Sequence, residues 1–318
     1  MPPLAPLSPE GNDLRAVRFH AFGDFDVLRV EEVEGPVAGE GEVVVRVRAA
    51  GVNPIDWKIL HGLLAGGGPL AAPRGLGFDV AGVVEEVGPG VQELAAGDEV
   101  LGVPAGPSYA ELVLGRPELL VRRPGGVAWE VAGGLGVAVG TAYATLARLA
   151  LEPGETLVIA GASGGVGSLA AQLAVARGLK VIGTAGEAKA EQLRALGVTP
   201  VLYGDGLDER LREAAPDGAD AALDASGHGE LAALVELVGG PARVLTIADA
   251  PGAAQLGVEF HAGGGGEHQQ AALEEALPLI EAGRISFPIA GVYGLEQVGE
   301  ALRESEHGHP AGKLVVVP

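Results

Sequence analysis

The sequence predicts an α/β protein in which a β domain, formed by both ends of the chain, is interrupted by a domain with a doubly wound parallel sheet. The period of the apolar residues changes near residue 135 and again near residue 285. Between these points strand-like and helix-like segments alternate, as they do in parallel βαβ units. These changes predict a loose tail over residues 1–13, a β domain over 14–135 and 285–318, and a parallel-sheet domain over 136–284.

The first segment consists of short β-branched runs that glycine and proline interrupt. Alternation over about five to eight positions between turn residues is typical of half-buried strands. Such runs are AVRFHAF, DVLRVEEV, EVVVRVRAAGV, FDVAGVVEEVG, DEVLGV and YAELVL. They predict an all-β domain. The sequence after Ile285 again shows strand-like and turn-like patterns, so it is assigned to the same domain.

The middle segment alternates apolar strands with helices. The predicted strands are LVIAG, KVIGTA, PVLYG, DAALDAS, ARVLTIA and GVEFHA. These strands are separated by helix-like segments such as GSLAAQLAVARG, AKAEQLRALG and GELAALVELV. This alternation predicts a parallel sheet.

A strand, a glycine turn and a long helix follow one another directly between Thr156 and Gly178. Such a turn lets the backbone approach a pyrophosphate, while the helix directs its free amides and positive dipole end at that anion. A second strand at Lys180 to Thr184 completes a mononucleotide-binding βαβ unit. A purely structural turn is the alternative, because the spacing is GxxGxxG and not GxGxxG. The candidate phosphate-binding residues are Gly161, Ser163, Gly164, Gly165, Val166 and Gly167.

Charge and composition exclude several classes of partner. The 21 basic and 42 acidic residues give a formal charge of −21, which repels nucleic acid and anionic membrane surfaces. There is no cysteine, so thiolate-ligated zinc is excluded, and the histidine spacings predict no other metal site. The start of the chain lacks the basic flank and apolar stretch of a signal peptide, and we expect a cytoplasmic protein.

Four segments carry a family resemblance: AAGVNPIDWKILHG, GLGFDVAGVVEEVGPGV, AGASGGVG and the closing AGKLVVVP. In this order they resemble the zinc-free quinone oxidoreductases of the medium-chain dehydrogenase/reductase superfamily, over nearly the whole chain past residue 14. The resemblance implies a GroES-like catalytic domain, a Rossmann domain, NADPH as hydride donor and a cleft between the domains. It also implies a homodimer formed by pairing sheet edges, for which ARVLTIA or GVEFHA is expected to supply the edge.

The cofactor is expected to be NADPH. An NAD site carries a carboxylate at the end of the second strand, where this chain has Thr184. Lys189, one helical turn into the next helix, is positioned to pair with a 2′-phosphate, although a solvated helix charge is the alternative. Glu187 argues for NADH, but we expect it beyond the strand end, at the start of the next helix.

The resemblance also carries over further cofactor contacts. Tyr203 is expected beside the adenosine, with sheet-edge packing as the alternative, and Lys313 is expected to reach back to the cleft. Thr141 is expected near the nicotinamide, although an N-cap would also explain a threonine there. The remaining candidates are Ala185, Gly186, Ser226, Gly227, Ile247 and Ala248.

Two residues are candidates for catalysis. The family places an asparagine at Asn53, facing the nicotinamide or the substrate carbonyl, and capping the turn before Pro54 is the alternative. Tyr109 matches a position that some relatives direct into the cleft as a proton donor, with strand packing as the alternative. Near Asn53, an ion pair from Asp56 to Lys58 is a structural possibility. Asp79 is interpreted as structural, bonding backbone amides.

The sequence thus predicts an NADPH-dependent, zinc-free reductase that delivers hydride to quinones or α,β-unsaturated carbonyl compounds. One alternative is an enoyl reductase of polyketide or other secondary metabolism. A catalytically lapsed NADPH-binding sensor or structural protein is another.

Overall fold

A computed structural model describes residues 13–65, 68–263, 266–307 and 310–318. The chain folds into two compact units. One, here called the β unit, contains the chain up to Val137 together with Phe287–Pro318, and the other, the parallel-sheet unit, is Ala138–Ser286. Asp13 begins the first strand, and the rest of the predicted tail lies outside the described residues.

The β unit combines two sheets with α-helices. Its elements are β1 (Asp13–Phe19), β2 (Arg29–Glu34), β3 (Val43–Gly51), α1 (Pro54–Leu60), β4 (Arg74–Gly75), β5 (Val80–Val87), β6 (Glu99–Gly102), β7 (Leu112–Gly115), β8 (Leu120–Arg122), β15 (Ile289–Tyr293), α9 (Val298–His307) and β16 (Lys313–Val316). The small sheet has the order β2-β1-β4, and the large one β15-β16-β3-β5-β6-β8, with β7 also on β3. Because β16 pairs antiparallel with β3, the end of the chain lies beside the strand that precedes α1.

The parallel-sheet unit is a six-stranded sheet with the order β11-β10-β9-β12-β13-β14. Its elements are β9 (Thr156–Ala160), α3 (Gly165–Ala176), β10 (Lys180–Ala185), α4 (Glu187–Ala195), β11 (Thr199–Leu202), α5 (Leu207–Ala214), β12 (Ala221–Asp224), α6 (Leu231–Val238), β13 (Val244–Thr246), α7 (Ala250–Leu256), β14 (Glu259–Phe260) and α8 (Gln269–Glu281). All its strand pairings are parallel, and the order reverses between β9 and β12. The predicted α/β class, a β domain with a doubly wound parallel sheet, is confirmed.

Two expectations for the β unit were wrong. It is not all-β, because Asn53 and Pro54 start the helix α1, where the fixed φ of proline suits the first helical position. The text after Ile285 contains the helix α9, whose residues Val298, Ala301 and Leu302 are buried in the core of the β unit. Ala301 and Leu302 lie three and four positions after Val298, as on one face of a helix. The strand-like runs on either side of them made this helical pattern harder to recognise in the sequence.

The helix α2 (Trp129–Leu149) contains the division between the units. It contains four glycines, and at least three of them are close-packing positions. A Cβ on Gly133 would lie 2.5 Å from Ala49 Cβ, and one on Gly136 would lie 2.4 Å from Gly102 O. Thr141 therefore lies in the middle of a helix, and the alternative that it is an N-cap is wrong.

The sheet edge was also partly mispredicted. The segment ARVLTIA forms β13, which lies between β12 and β14 and so has no free edge. GVEFHA forms β14, the edge strand on that side. Within the part of the chain that the structure describes, no helix is both long and apolar enough to cross a membrane.

Candidate cofactor site and active site

The glycine turn lies between β9 and α3. Gly161 has φ of +75°, a left-handed conformation that favours glycine, and its amide donates to the Thr184 hydroxyl at 3.0 Å. A Cβ on Gly167 would lie 2.2 Å from Gly161 O, so helix and turn pack together only because Gly167 has no side chain. The sequence brings β9, β10 and α3 together through these two glycines and one buried threonine.

The turn leaves open space where a phosphate would bind. Ser163, Gly164 and Gly165 are exposed, and a Cβ on Gly165 would find no atom within 4 Å. The helix α3 begins at Gly165, so the amides of its first turn, including that of Val166, have no partner within the helix. Exposed amides at the positive end of a helix dipole fit the pyrophosphate of a dinucleotide.

The second strand and its helix form one side of the candidate site. Thr184 is 1% exposed and supports the glycine turn through its hydroxyl, with Ala185 buried beside it. After Gly186, α4 begins at Glu187, so this acid lies beyond the strand end, as expected. Lys189 is half-buried, and its Nζ lies 3.4 Å from Gln192 Oε1.

Tyr203 follows β11 and is 58% exposed, the exposure expected of a ring available to an adenosine. Its hydroxyl would lie 3.0 Å from a Cβ on Gly186, so the two strand ends are neighbours. Arg210, which the sequence reasoning missed, holds this loop. Its guanidinium donates to the carbonyls of Leu202, Gly204 and Asp205 at 2.9, 3.1 and 2.8 Å.

On the other side of the reversal point, Asp224 ends β12 and is 1% exposed. Its Oδ1 accepts from the amides of Ser226 and Gly227, both at 3.0 Å, and its Oδ2 accepts from the Thr246 hydroxyl at 2.8 Å. The oxygen of that hydroxyl accepts in turn from the Ala248 amide at 3.1 Å. Asp224 and Thr246 were missed by sequence reasoning, although both are polar residues at the ends of adjacent parallel strands.

These bonds place several predicted contacts together. Ile247 donates its amide to the Asp224 carbonyl at 2.9 Å, and a Cβ on Gly227 would lie 3.0 Å from Ala248 Cβ. A Cβ on Gly161 would lie 3.2 Å from the Ser226 amide nitrogen, so the glycine turn adjoins the loop after β12. Thr141 is buried in α2, and a Cβ on Gly263 would lie 3.5 Å from its hydroxyl.

In the β unit, Asn53 lies in a buried polar network. Lys313 Nζ donates to Asn53 Oδ1 at 2.6 Å and lies 3.2 Å from Asp79 Oδ2. Asn53 Nδ2 donates to Asp79 Oδ2 at 2.8 Å and to Gly51 O at 3.4 Å. Asp79 also accepts from the Val137 amide, as its structural interpretation expected. Asn53 is 4% exposed, and its side-chain amide donates both of its hydrogen bonds to groups within the protein.

The same network continues to Tyr109 through Asp56, the third residue of α1. Asp56 Oδ2 accepts from the backbone amide of Asn53 at 2.8 Å and from the Tyr109 hydroxyl at 2.9 Å. Its Oδ1 accepts from the backbone amide of Gly77 at 2.9 Å. Asp56 thereby caps the first turn of α1, an arrangement typical of an acid three residues after the N-cap. Tyr109 is 1% exposed.

The suggested ion pair between Asp56 and Lys58 is wrong. Both are described residues, and the Asp56 carboxylate is fully buried and bonded to Asn53, Gly77 and Tyr109 instead. Lys58 Nζ lies 5.5 Å from the centroid of the Trp57 ring.

Burial dominates the electrostatics of this network. It raises the pKa of Asp56 to about 7, against the lowering effect of the hydrogen bonds from Asn53, Tyr109 and Gly77. It also raises the pKa of Asp79, although the Lys313 ammonium acts in the opposite direction. Burial and the adjacent Asp56 carboxyl raise the pKa of the Tyr109 hydroxyl well above its usual value. Tyr109 therefore holds its proton firmly.

A pH-dependent stability follows from Asp56. Its folded pKa lies above that of an exposed aspartate, so the folded state binds more protons and the stability contributed falls as pH rises from about 4 to about 7. We expect the free energy of unfolding of wild type to fall relative to that of Asp56→Asn as pH rises from about 4 to about 7. Urea unfolding at several pH values measures it, and a pH-independent difference would contradict the raised pKa.

Two family models match the chain. Residues 39–151 match the alcohol dehydrogenase GroES-like domain, and residues 196–316 match a model described as zinc-binding dehydrogenase. Over 96% of this chain, an NADPH-dependent alkenal/one oxidoreductase of Arabidopsis thaliana is 34% identical, and the match covers 80% of that protein. The quinone oxidoreductase of Homo sapiens is 30% identical over 96% of this chain and 98% of its own length. The chain belongs to the medium-chain dehydrogenase/reductase superfamily.

Other comparisons agree with membership in the medium-chain dehydrogenase/reductase superfamily. The structure of a quinone oxidoreductase from Pseudomonas syringae is 27% identical with a TM-score of 0.83, covering 96% of this chain and 100% of that one. A polyketide synthase of Streptomyces halstedii is 33% identical over 87% of this chain, which corresponds to 5% of the synthase.

Members of the medium-chain dehydrogenase/reductase superfamily bind a nicotinamide cofactor, and the glycine turn described above fits one. Among the described residues, no group of three or more His, Cys, Asp or Glu side chains is arranged to hold a metal ion. Since the chain has no cysteine, it also lacks the thiolate ligand that zinc enzymes of the superfamily use.

Proposed function

We propose that this chain is an NADPH-dependent reductase that transfers hydride to a quinone or to an α,β-unsaturated carbonyl compound. The observation that carries the proposal is the open space at Gly165, where α3 begins and the amides of its first turn have no partner within the helix. The names of the relatives, quinone oxidoreductase and alkenal/one oxidoreductase, support the acceptor class.

The chain contributes positioning to this reaction. When bound, the reduced nicotinamide supplies a hydride to the electron-poor carbon of the acceptor, and a proton completes the reduction. The amides of the first turn of α3 would hold the pyrophosphate. Asn53 is proposed to orient the acceptor carbonyl, which requires exchange of its bond to Gly51 O, the longest that its side chain makes at 3.4 Å. Because the pKa of Tyr109 is raised so far, water is the better proton source.

The test is a side-by-side titration of NADPH and NADH, followed by an oxidation assay with a panel of quinones and enones. We expect tighter NADPH binding and acceptor-dependent oxidation. Tight binding without turnover across the panel would favour the sensor or structural protein. No binding of either nucleotide would overturn the proposal.

The preference for NADPH is proposed to depend on Lys189, whose ammonium would pair with the 2′-phosphate. We expect Lys189→Ala to weaken NADPH binding about tenfold and NADH binding much less, the loss of one charge-assisted contact. Dissociation constants from fluorescence titration measure both. Lys180→Ala, an exposed lysine at the opposite end of β10, is the matched control. An equal loss for both nucleotides would contradict the assignment.

A second candidate is reduction of an enoyl thioester, favoured by the match to a polyketide synthase. Turnover of a crotonyl thioester in preference to quinones and enones would select it.

We also propose a homodimer that pairs the edge strand β14, where Phe260 is 42% exposed. Light scattering tests this, and a monomer at micromolar concentration would contradict it.

A further inference from the structure

The loops after β12 and β13 are fixed by two buried polar side chains. Asp224 is 1% and Thr246 is 0% exposed. Through the bond between Asp224 Oδ2 and the Thr246 hydroxyl they form one unit, which accepts the amides of Ser226 and Gly227 on one loop. On the other loop it accepts those of Ala248 and Asp249, at 3.1 and 3.0 Å.

The position of this pair in the sheet relates it to one half of a bound dinucleotide. A dinucleotide lies across the point where the strand order reverses, with its adenosine ribose at the end of the second strand of the unit. Here that second strand is β10, on the β11 side of β9, whereas β12 and β13 lie on the opposite side. In a dinucleotide bound this way, the nicotinamide half would lie at the ends of β12 and β13, which carry the two loops.

The glycine turn supports this placement. A Cβ on Gly161 would lie 3.2 Å from both the Ser226 amide nitrogen and Ser226 Cβ. The pyrophosphate cradle and the loop after β12 are thus adjacent, so a displacement of that loop changes where the nicotinamide leaves the cradle. The Thr246 hydroxyl is buried and therefore cannot contact the cofactor directly. It would influence cofactor binding only through the loop backbone to which it is hydrogen-bonded.

We propose that Asp224 and Thr246 are positioning residues that hold the two loops receiving the nicotinamide half of the cofactor. This inference rests on the proposed function only in taking NADPH as the ligand. The pair acts on one half of the dinucleotide, because the cradle and the ends of β10 and β11 are held by other bonds, those of Thr184 and Arg210. A loss of the pair should then weaken the binding of the whole dinucleotide and leave that of its adenosine half unchanged.

The experiment compares Thr246→Val with Thr246→Ser. Valine matches the volume of threonine but removes the acceptor for Ala248 and Asp249, whereas serine retains the hydroxyl. We expect Thr246→Val to raise the NADPH dissociation constant about tenfold, the equivalent of one net hydrogen bond, with a lower kcat. Thr246→Ser should stay near wild type. The dissociation constant of 2′,5′-ADP, which represents the adenosine half, should be the same in all three proteins.

Thr145→Val is the matched control, because Thr145 is also fully buried and its hydroxyl donates to Ala142 O at 2.9 Å within α2. It should change neither dissociation constant. Asp224→Asn is the second variant if Thr246→Val does not fold, since the amide retains an acceptor for Ser226 and Gly227 but presents a donor to Thr246. Its NADPH dissociation constant should also rise while that of 2′,5′-ADP does not.

Unchanged NADPH binding in the substituted proteins would overturn the inference, and so would an equal loss of NADPH and 2′,5′-ADP. Failure of the proposed function has a different signature. A wild-type protein that binds NADPH without oxidising it would refute the reductase, while the comparison of dissociation constants would still decide the role of the pair.

Discussion

Lys313→Met is expected to lower the free energy of unfolding by about 3–5 kcal/mol, because it leaves a buried carboxylate without its cationic partner. The side chains of Lys313 and Asp79 are 7% and 0% exposed, so water cannot replace the ammonium. Methionine retains most of the lysine stem, which packs against Gly51 and Gly134. The loss therefore measures the charge and the bond to Asn53, and urea unfolding at neutral pH determines it.

The double variant Lys313→Met/Asp79→Asn is expected to recover most of this loss, since it leaves no buried charge. The loss in the single variant should also be larger at pH 8 than at pH 5. Without the ammonium, the Asp79 carboxyl has a still higher pKa and can be neutralised by a proton at the lower pH. Lys180→Met, which changes an exposed lysine, controls for the removal of a positive charge. A single variant as stable as wild type, or a double variant no better than the single, would contradict the charge pairing.

The network around Lys313 shows why only part of the candidate site could be predicted from sequence. Asn53 and Lys313 are separated by 260 positions, and no local pattern indicates that they bond. Their contact depends on the pairing of β16 with β3, a long-range feature. The resemblance located both residues individually. It did not show that the amide of Asn53 is already bonded inside the protein.

The parallel-sheet unit was more predictable, because its information is local. A buried strand followed by glycines and an apolar helix identifies the turn at Gly161, and the strands around it follow from their own apolar runs. Asp224 and Thr246 could have been found by the same reasoning, since the carboxyl ends of adjacent parallel strands meet at one edge of a sheet. The N-cap alternative for Thr141 was wrong, because α2 begins at Trp129 and continues through glycines that pack closely instead of ending the helix.

Gly167→Ala is expected to abolish measurable NADPH binding and to lower stability as well. The added Cβ would lie 2.2 Å from Gly161 O and 3.0 Å from Gly161 C, both backbone atoms that cannot rotate away. Either the turn or α3 must move, which costs about 1–3 kcal/mol in a well-packed core and displaces the amides proposed to hold the pyrophosphate. Thermal unfolding and NADPH titration measure the two effects.

Gly165→Ala separates the two effects, because it adds the same methyl group where no atom lies within 4 Å apart from the neighbouring backbone of its own helix. Its stability should equal or slightly exceed that of wild type, since alanine is the better helix former at this first position of α3. Its NADPH affinity should nevertheless fall at least about tenfold, because the methyl group occupies the space proposed for the pyrophosphate. A stable Gly165→Ala protein with wild-type affinity would mean that the open space at the start of α3 is not the phosphate site. Loss of affinity without loss of stability would distinguish a ligand cradle from a turn that glycine merely makes possible.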